Sequence, residues 1–299
     1  MSIKKSVSPV CPFFNEKQIS DSSKKLYISK LKKLNEGVVP TDFKFLKKKE
    51  DIMEQLEKQP LNTRRSSVIA IVSAVKGQDP ELHAFFTKVM DTLNKETQEA
   101  TKGKKSERQE ENWVSLPELE AILETNKKLI SSLSKKKKVT EQQYDDLLSH
   151  LVLSLYTKMP PRRSMDYLEM HVAEPDEDRT KNYYNKEHFY FNNYKTAKTY
   201  KQQVTKPPKE IVELLKLYMK FKPKENSKLL LNSDGNPLTS LSLRMLLNKA
   251  TGKKISTQML RNIYSTDKIS PMVEKMEETA EAMGSSVATL VAVYSKNSK

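Results

Sequence analysis

Thiol chemistry is almost absent from this 299-residue chain, whose one cysteine is Cys11. A single thiol can form neither an intramolecular disulfide nor a cysteine-based zinc site, and it suits a reducing, intracellular compartment. Histidine is scarce as well. His83, His150, His171 and His188 lack the i, i+4 spacing of a helical metal site, so no metal or cofactor is expected. No apolar run reaches the roughly 18 residues of a membrane-spanning helix, and no hydrophobic segment follows the start methionine, so no membrane partner is expected. Arginine is the last scarcity: of 53 lysines and arginines only eight are arginine, which makes the place of each one informative.

What the chain does have is positive charge. A formal charge of +15 calls for an anionic partner, because lysines set against phosphates gain affinity by releasing condensed counterions. Double-stranded DNA is the first candidate. Hydrophobic residues make up 36% of the sequence, enough for two domains with ordinary cores.

Apolar spacing predicts a mainly α chain with a small β-sheet, an α+β fold, and reveals no internal repeat. Residues 1–19 read as a tail. Over 20–95, four amphipathic helices follow: one carrying Tyr27, Leu31 and Leu34, one around Ile52 and Leu56, one capped by Thr63, and one after Pro80. Residues 96–112 lose every large apolar side chain and read as an exposed linker with room for partial helix. Trp113 opens a second system over 113–299. Helices are expected at 116–131 and 140–156, the second with Thr140 and Gln143 in capping-box spacing. The Ser134–Val139 lysine run between them reads as a solvated loop. Alternation over His188–Val204, including Tyr194–Thr199, predicts a hairpin or three-stranded sheet. Helices then resume at 210–218, 240–250, 257–264, 273–283 and 287–294.

Four short stretches stand out in this second region. Pro160-Pro161-Arg162-Arg163 precedes Asp166, with Arg163 three residues before the acid and Arg162 as the alternative. Tyr194-Lys195-Thr196-Ala197-Lys198 leads through Val204 to Pro207. Gln258 and Arg261 stand one helical turn apart. Gly284-Ser285-Ser286 is followed by Tyr294, ten residues after the glycine. In this order and spacing they resemble the catalytic domain of the tyrosine recombinase (phage integrase) family, and the upstream helices resemble that family's core-binding domain.

The resemblance implies breakage and rejoining of DNA through a 3′-phosphotyrosyl link. Tyr294 would be the nucleophile, with Tyr264 next in line. Arg163 and Arg261 would hold the non-bridging oxygens, and Lys195, with Lys198 second, would protonate the leaving oxygen. Gln258 and Ser285 stand where the family carries residues such as histidine; they can donate hydrogen bonds but cannot carry charge. The resemblance further implies no cofactor and a homo-oligomer on DNA among the partners; the lysine-rich composition and the departures from the family's pattern suggest a virus or mobile element as origin. A decayed DNA-binding protein of the same fold and a type IB topoisomerase remain the alternatives.

Overall fold

The computed structural model describes residues 11–174 and 179–294. The chain divides between Ser106 and Glu107 into two compact units.

The first unit is helical: α1 (Asp21–Leu34), a short α2 (Lys44–Lys47), α3 (Lys49–Glu57), α4 (Leu61–Val75) and α5 (Pro80–Thr101). Ser20 caps α1 by accepting the Ser23 amide at 3.2 Å, and Asp79 caps α5 by accepting the Leu82 amide at 3.0 Å. The apolar stripes meet as designed by their spacing: Leu31, Leu34, Ile52, Leu56, Val68, Ile71, Val75, Leu82 and Phe86 are all buried in one core. Two expectations fail here. Cys11 and Phe14 are buried in that core, so the segment read as a tail contributes to the fold from residue 11 onward. Thr63 is not a cap; α4 starts at Leu61 behind Pro60, and the Thr63 amide already bonds to the Pro60 carbonyl at 2.8 Å. Residues 1–10 of the expected tail lie outside the described residues.

The second unit opens with α6 (Glu107–Asn112), so the segment read as a linker is largely helical, being shared between the end of α5 and α6. Helices α7 (Leu116–Ser132) and α8 (Glu141–Thr157) both begin with capping boxes, Ser115 with Glu118 and Thr140 with Gln143. Helix α8 is the axis of the unit. Its residues 147–149 and 151–157 are all buried, which is the pattern of a helix covered on every side. After α9 (Ser164–Leu168) comes a four-stranded mixed sheet in the order β1 (Met170–Val172), β2 (Asn182–Asn185), β3 (His188–Phe191) and β4 (Gln203–Thr205). The β1–β2 pair is parallel and the other two are antiparallel.

The remaining helices are α10 (Ala197–Tyr200), α11 (Lys209–Phe221), α12 (Ser240–Thr251), α13 (Thr257–Lys268), α14 (Ser270–Ala282) and α15 (Val287–Thr289). The alternation at Tyr194–Thr199 does not make a strand: it forms a turn and then α10, inside the connection between β3 and β4. The reason lies in two amides. Asn192 and Asn193 donate their backbone N–H to the side-chain oxygen of Asn182, at 2.9 and 2.8 Å, instead of to a neighbouring strand. The final expected helix is regular only over α15 and continues as a π-helical turn, Leu290–Tyr294. Among the described residues no helix is long and apolar enough to cross a membrane, and no cluster of His, Cys, Asp or Glu could hold a metal ion.

Candidate active site

Pro160 and Pro161 cannot extend α8, so the chain leaves the buried helix as an extended strut that ends at Arg163, the residue before α9. The two adjacent arginines are used differently. Arg162 is enclosed. Its Nε donates to Asp166 Oδ2 at 3.0 Å and its Nη1 to Gln203 Oε1 at 2.7 Å, while the guanidinium carbon lies 3.8 Å from the Phe191 ring centre and 4.9 Å from that of Tyr194. The Arg163 side chain is half-buried and makes no hydrogen bond or ion pair with any described residue, while its backbone carbonyl accepts from the Asp166 amide at 3.0 Å.

Arg261 comes from α13, which Ser256 caps by accepting the Met259 amide at 3.2 Å. Its Nε donates to the Pro161 carbonyl at 3.3 Å and its Nη1 to Gln258 Oε1 at 3.2 Å. Gln258 in turn donates to Asn262 Oδ1 at 3.0 Å, so its amide orientation is set from both ends. Arg162, Arg163 and Arg261 all face one open cavity of about 210 Å³, lined also by Pro161, Asp166, Tyr194, Thr196, Tyr200 and Gln203. Three guanidinium groups against one carboxylate leave this cavity net positive. Arg261 retains donors beyond the two it uses, and Arg163 retains all of its own.

Lys195 is exposed in the turn between Tyr194 and Thr196, both of which line that cavity. The connection that carries it is tied down at several points. Tyr194 donates its hydroxyl to the Lys201 carbonyl at 2.6 Å, and Gln202 donates to Asn192 Oδ1 at 2.8 Å. Lys201 has φ +56° and ψ −156°, a region almost confined to glycine and worth about 1–3 kcal/mol of strain for other residues. Asn182, fully buried, holds the start of the same connection. Besides accepting the two amides, its Nδ2 donates to the Asp166 carbonyl at 3.0 Å and the Asn193 carbonyl at 2.9 Å.

The other predicted residues lie elsewhere. Ser285 and Tyr294 are not among the residues lining the arginine cavity. Gly284 (φ +64°) and Ser285 form the stop of α14: the Ser285 amide bonds to Ala280 O at 2.8 Å and the Gly284 amide to Glu281 O at 2.9 Å. Ser286 caps α15 through the Thr289 amide at 3.1 Å. The backbone of Gly284 and Ser285 and the hydroxyl of Ser286 therefore have structural roles of their own. Tyr294 is 56% exposed. Among tyrosines nearer the arginines, Tyr156 and Tyr167 are buried, and burial drives both phenols well above their usual pKa. Tyr264 packs partly buried against the main core.

No family model matches the chain, and no curated protein matches it. Among solved structures, the crystal structure of XerA recombinase aligns over 94% of this chain and 89% of its own, at 14% identity and a TM-score of 0.37. A likeness that loose assigns neither ancestry nor activity.

The sequence reading missed Gln203 and Asn182, and it placed Arg163 first with Arg162 as the alternative without foreseeing that Arg162 is enclosed. Neither polar residue stands in a recognisable local motif. Both act across the sheet on residues distant in the chain.

Proposed function

We propose that this protein is a DNA strand transferase of the tyrosine recombinase kind, with double-stranded DNA as its partner. The observation that carries the reading is the convergence of Arg163 and Arg261, from separate elements, on one open cavity in a chain of net charge +15. Guanidinium forks suit the two non-bridging oxygens of a phosphodiester, and such charge stabilises the transition state of phosphoryl transfer.

In the proposed reaction the Tyr294 oxygen attacks phosphorus, forming a 3′-phosphotyrosyl bond as the bond to the 5′ oxygen breaks. The tyrosine proton passes to solvent, and the departing 5′ oxygen takes a proton from the Lys195 ammonium. Attack by a 5′ hydroxyl on the phosphotyrosine reverses the step with a partner strand. Gln258 orients Arg261, and Ser285 would contribute a hydroxyl beside the phosphate. Cleavage requires Tyr294 to reach the arginine cavity when DNA is bound.

Incubation with nicked duplexes from the sequence flanking the chain's own gene tests this directly. A covalent protein–DNA band, absent in Tyr294→Phe, is the expected result. Joining of two duplexes would mark a recombinase, and relaxation of supercoiled DNA without joining a topoisomerase. A second reading, a DNA binder that has lost cleavage, is favoured by the place of Tyr294 and Ser285 outside the cavity lining and by glutamine at 258. Tight binding with no covalent band on any substrate would establish it.

A further inference from the structure

We infer that Arg162 is a positioning residue that clamps the β3–β4 connection, and with it Lys195, onto the helix start that presents Arg163. This rests on the strand-transfer reading above for its chemical meaning.

The clamp is visible in what Arg162 touches. Its edge bonds to Asp166 of α9 and to Gln203, the first residue of β4, while its faces lie against Phe191, the last residue of β3, and Tyr194, the residue before Lys195. Tyr194 in turn closes the connection on itself through the Lys201 carbonyl. One planar cation thus joins both ends of the connection to α9. Its neighbours in sequence complete the arrangement: the Pro161 carbonyl on one side receives Arg261, and Arg163 on the other side is left open to the cavity. Fixing Arg162 therefore fixes both proposed phosphate-binding groups and the proposed proton donor against each other.

Two further features give the clamp work to do. Lys201 sits at a positive φ that a lysine rarely adopts, so the connection is held in a conformation it would not choose alone. Lys195 itself is exposed and lies in a turn, where only its neighbours can set its direction. A lysine at 162 would keep the charge but lose the planar fork and the ring faces, because an ammonium is a compact point charge.

The test uses the full-length protein and compares Arg162→Lys with Lys195→Ala and Arg163→Ala. Single-turnover cleavage is measured on an ordinary duplex and on one with sulfur in place of the 5′ bridging oxygen, a leaving group that needs no proton. Arg162→Lys is expected to bind DNA nearly as the parent does, to cleave the ordinary duplex about 100-fold or more slowly, and to recover most of that loss on the sulfur substrate. Lys195→Ala should behave the same way, and Arg163→Ala should show no recovery. Equal defects on both substrates, or no defect at all, would overturn the assignment.

Trypsin supplies a readout independent of cleavage. Cutting at Lys195 and Lys198 should accelerate in Arg162→Lys while other sites are cut at the parent rate; unchanged cutting there would also overturn the clamp. If Arg162→Lys does not fold, Gln203→Leu removes one bond of the clamp and is held to the same two criteria. A parent protein that cleaves neither substrate defeats the strand-transfer reading instead, and the trypsin result then decides the clamp by itself.

Discussion

Arg162, Asp166, Asn182 and Gln203 each direct their polar atoms at named partners inside the second unit, whereas between Ser270 and Tyr294 the one buried residue is Ala280. The first region is built as a fixed frame. The second is a helix, a glycine stop and a short turn whose Met272, Met283, Val291 and Tyr294 neighbourhood stays open to solvent. The contrast shows that the proposed phosphate-binding groups and the proposed nucleophile are presented on different terms. The frame is complete without DNA, and the tyrosine is not among its parts.

The sharpest way to break this comparison is chemical. Tyr294→Phe should abolish any covalent DNA adduct on a denaturing gel while leaving duplex binding nearly unchanged, since it removes one oxygen and no charge. An adduct that survives would move the nucleophile elsewhere, with Tyr264 next. Arg163→Ala should slow adduct formation by about 100-fold or more, the usual consequence of removing an electrostatic donor at the reacting centre. Survival of normal rates in Arg163→Ala would leave the open arginine without a role.

Stability gives the next test. Leu151 of α8 is fully buried, and Leu151→Ala should cost about 2–5 kcal/mol in denaturant unfolding. Met272→Ala in α14, where the side chain is 64% exposed, should stay within about 0.5 kcal/mol. Comparable losses at the two positions would mean that α14 is covered in solution. Hydrogen exchange reads the same contrast without mutation: amides of α8 should be protected far longer than those of 287–294.

The last test concerns acid. His150 is drawn from about 6.5 down to about 4 chiefly by burial, and its Nδ1 has no hydrogen-bond partner. Its folded form binds the proton less readily than the unfolded chain does. Stability should therefore be fullest above about pH 6.5 and fall as the pH is lowered, by on the order of 2 kcal/mol at pH 5. His150→Leu should flatten that slope in unfolding midpoints taken at pH 7 and pH 5. An unchanged slope would assign the acid sensitivity to other groups.

Much of the architecture was legible beforehand because helices announce themselves locally. The capping pair Thr140–Gln143, the Pro80 start and the Leu31–Leu34 stripe each act within a few residues, and each formed as its spacing required. The sheet was only partly legible. His188–Phe191 became a strand, but Tyr194–Thr199 did not, because its fate was set by Asn182, ten and more residues upstream, and by a tyrosine folding back on its own chain. The same limit governs the site. Arg261 beside Gln258 could be read from helical spacing, while the division of labour between Arg162 and Arg163 depends on Gln203 and two aromatic faces that sequence order does not bring together.

Asn182 also constrains what sequences can fill this fold. An asparagine amide offers two N–H bonds and two oxygen lone pairs, and here all four are engaged within a fully buried site. Aspartate would present oxygen to two carbonyls, leucine would orphan two amides and two carbonyls, and glutamine would bring the same atoms one methylene too far. In informational terms the position admits a single letter, where an exposed lysine elsewhere in this chain admits nearly any. A search for distant kin would therefore draw more discrimination from one asparagine in a short strand than from the whole basic surface.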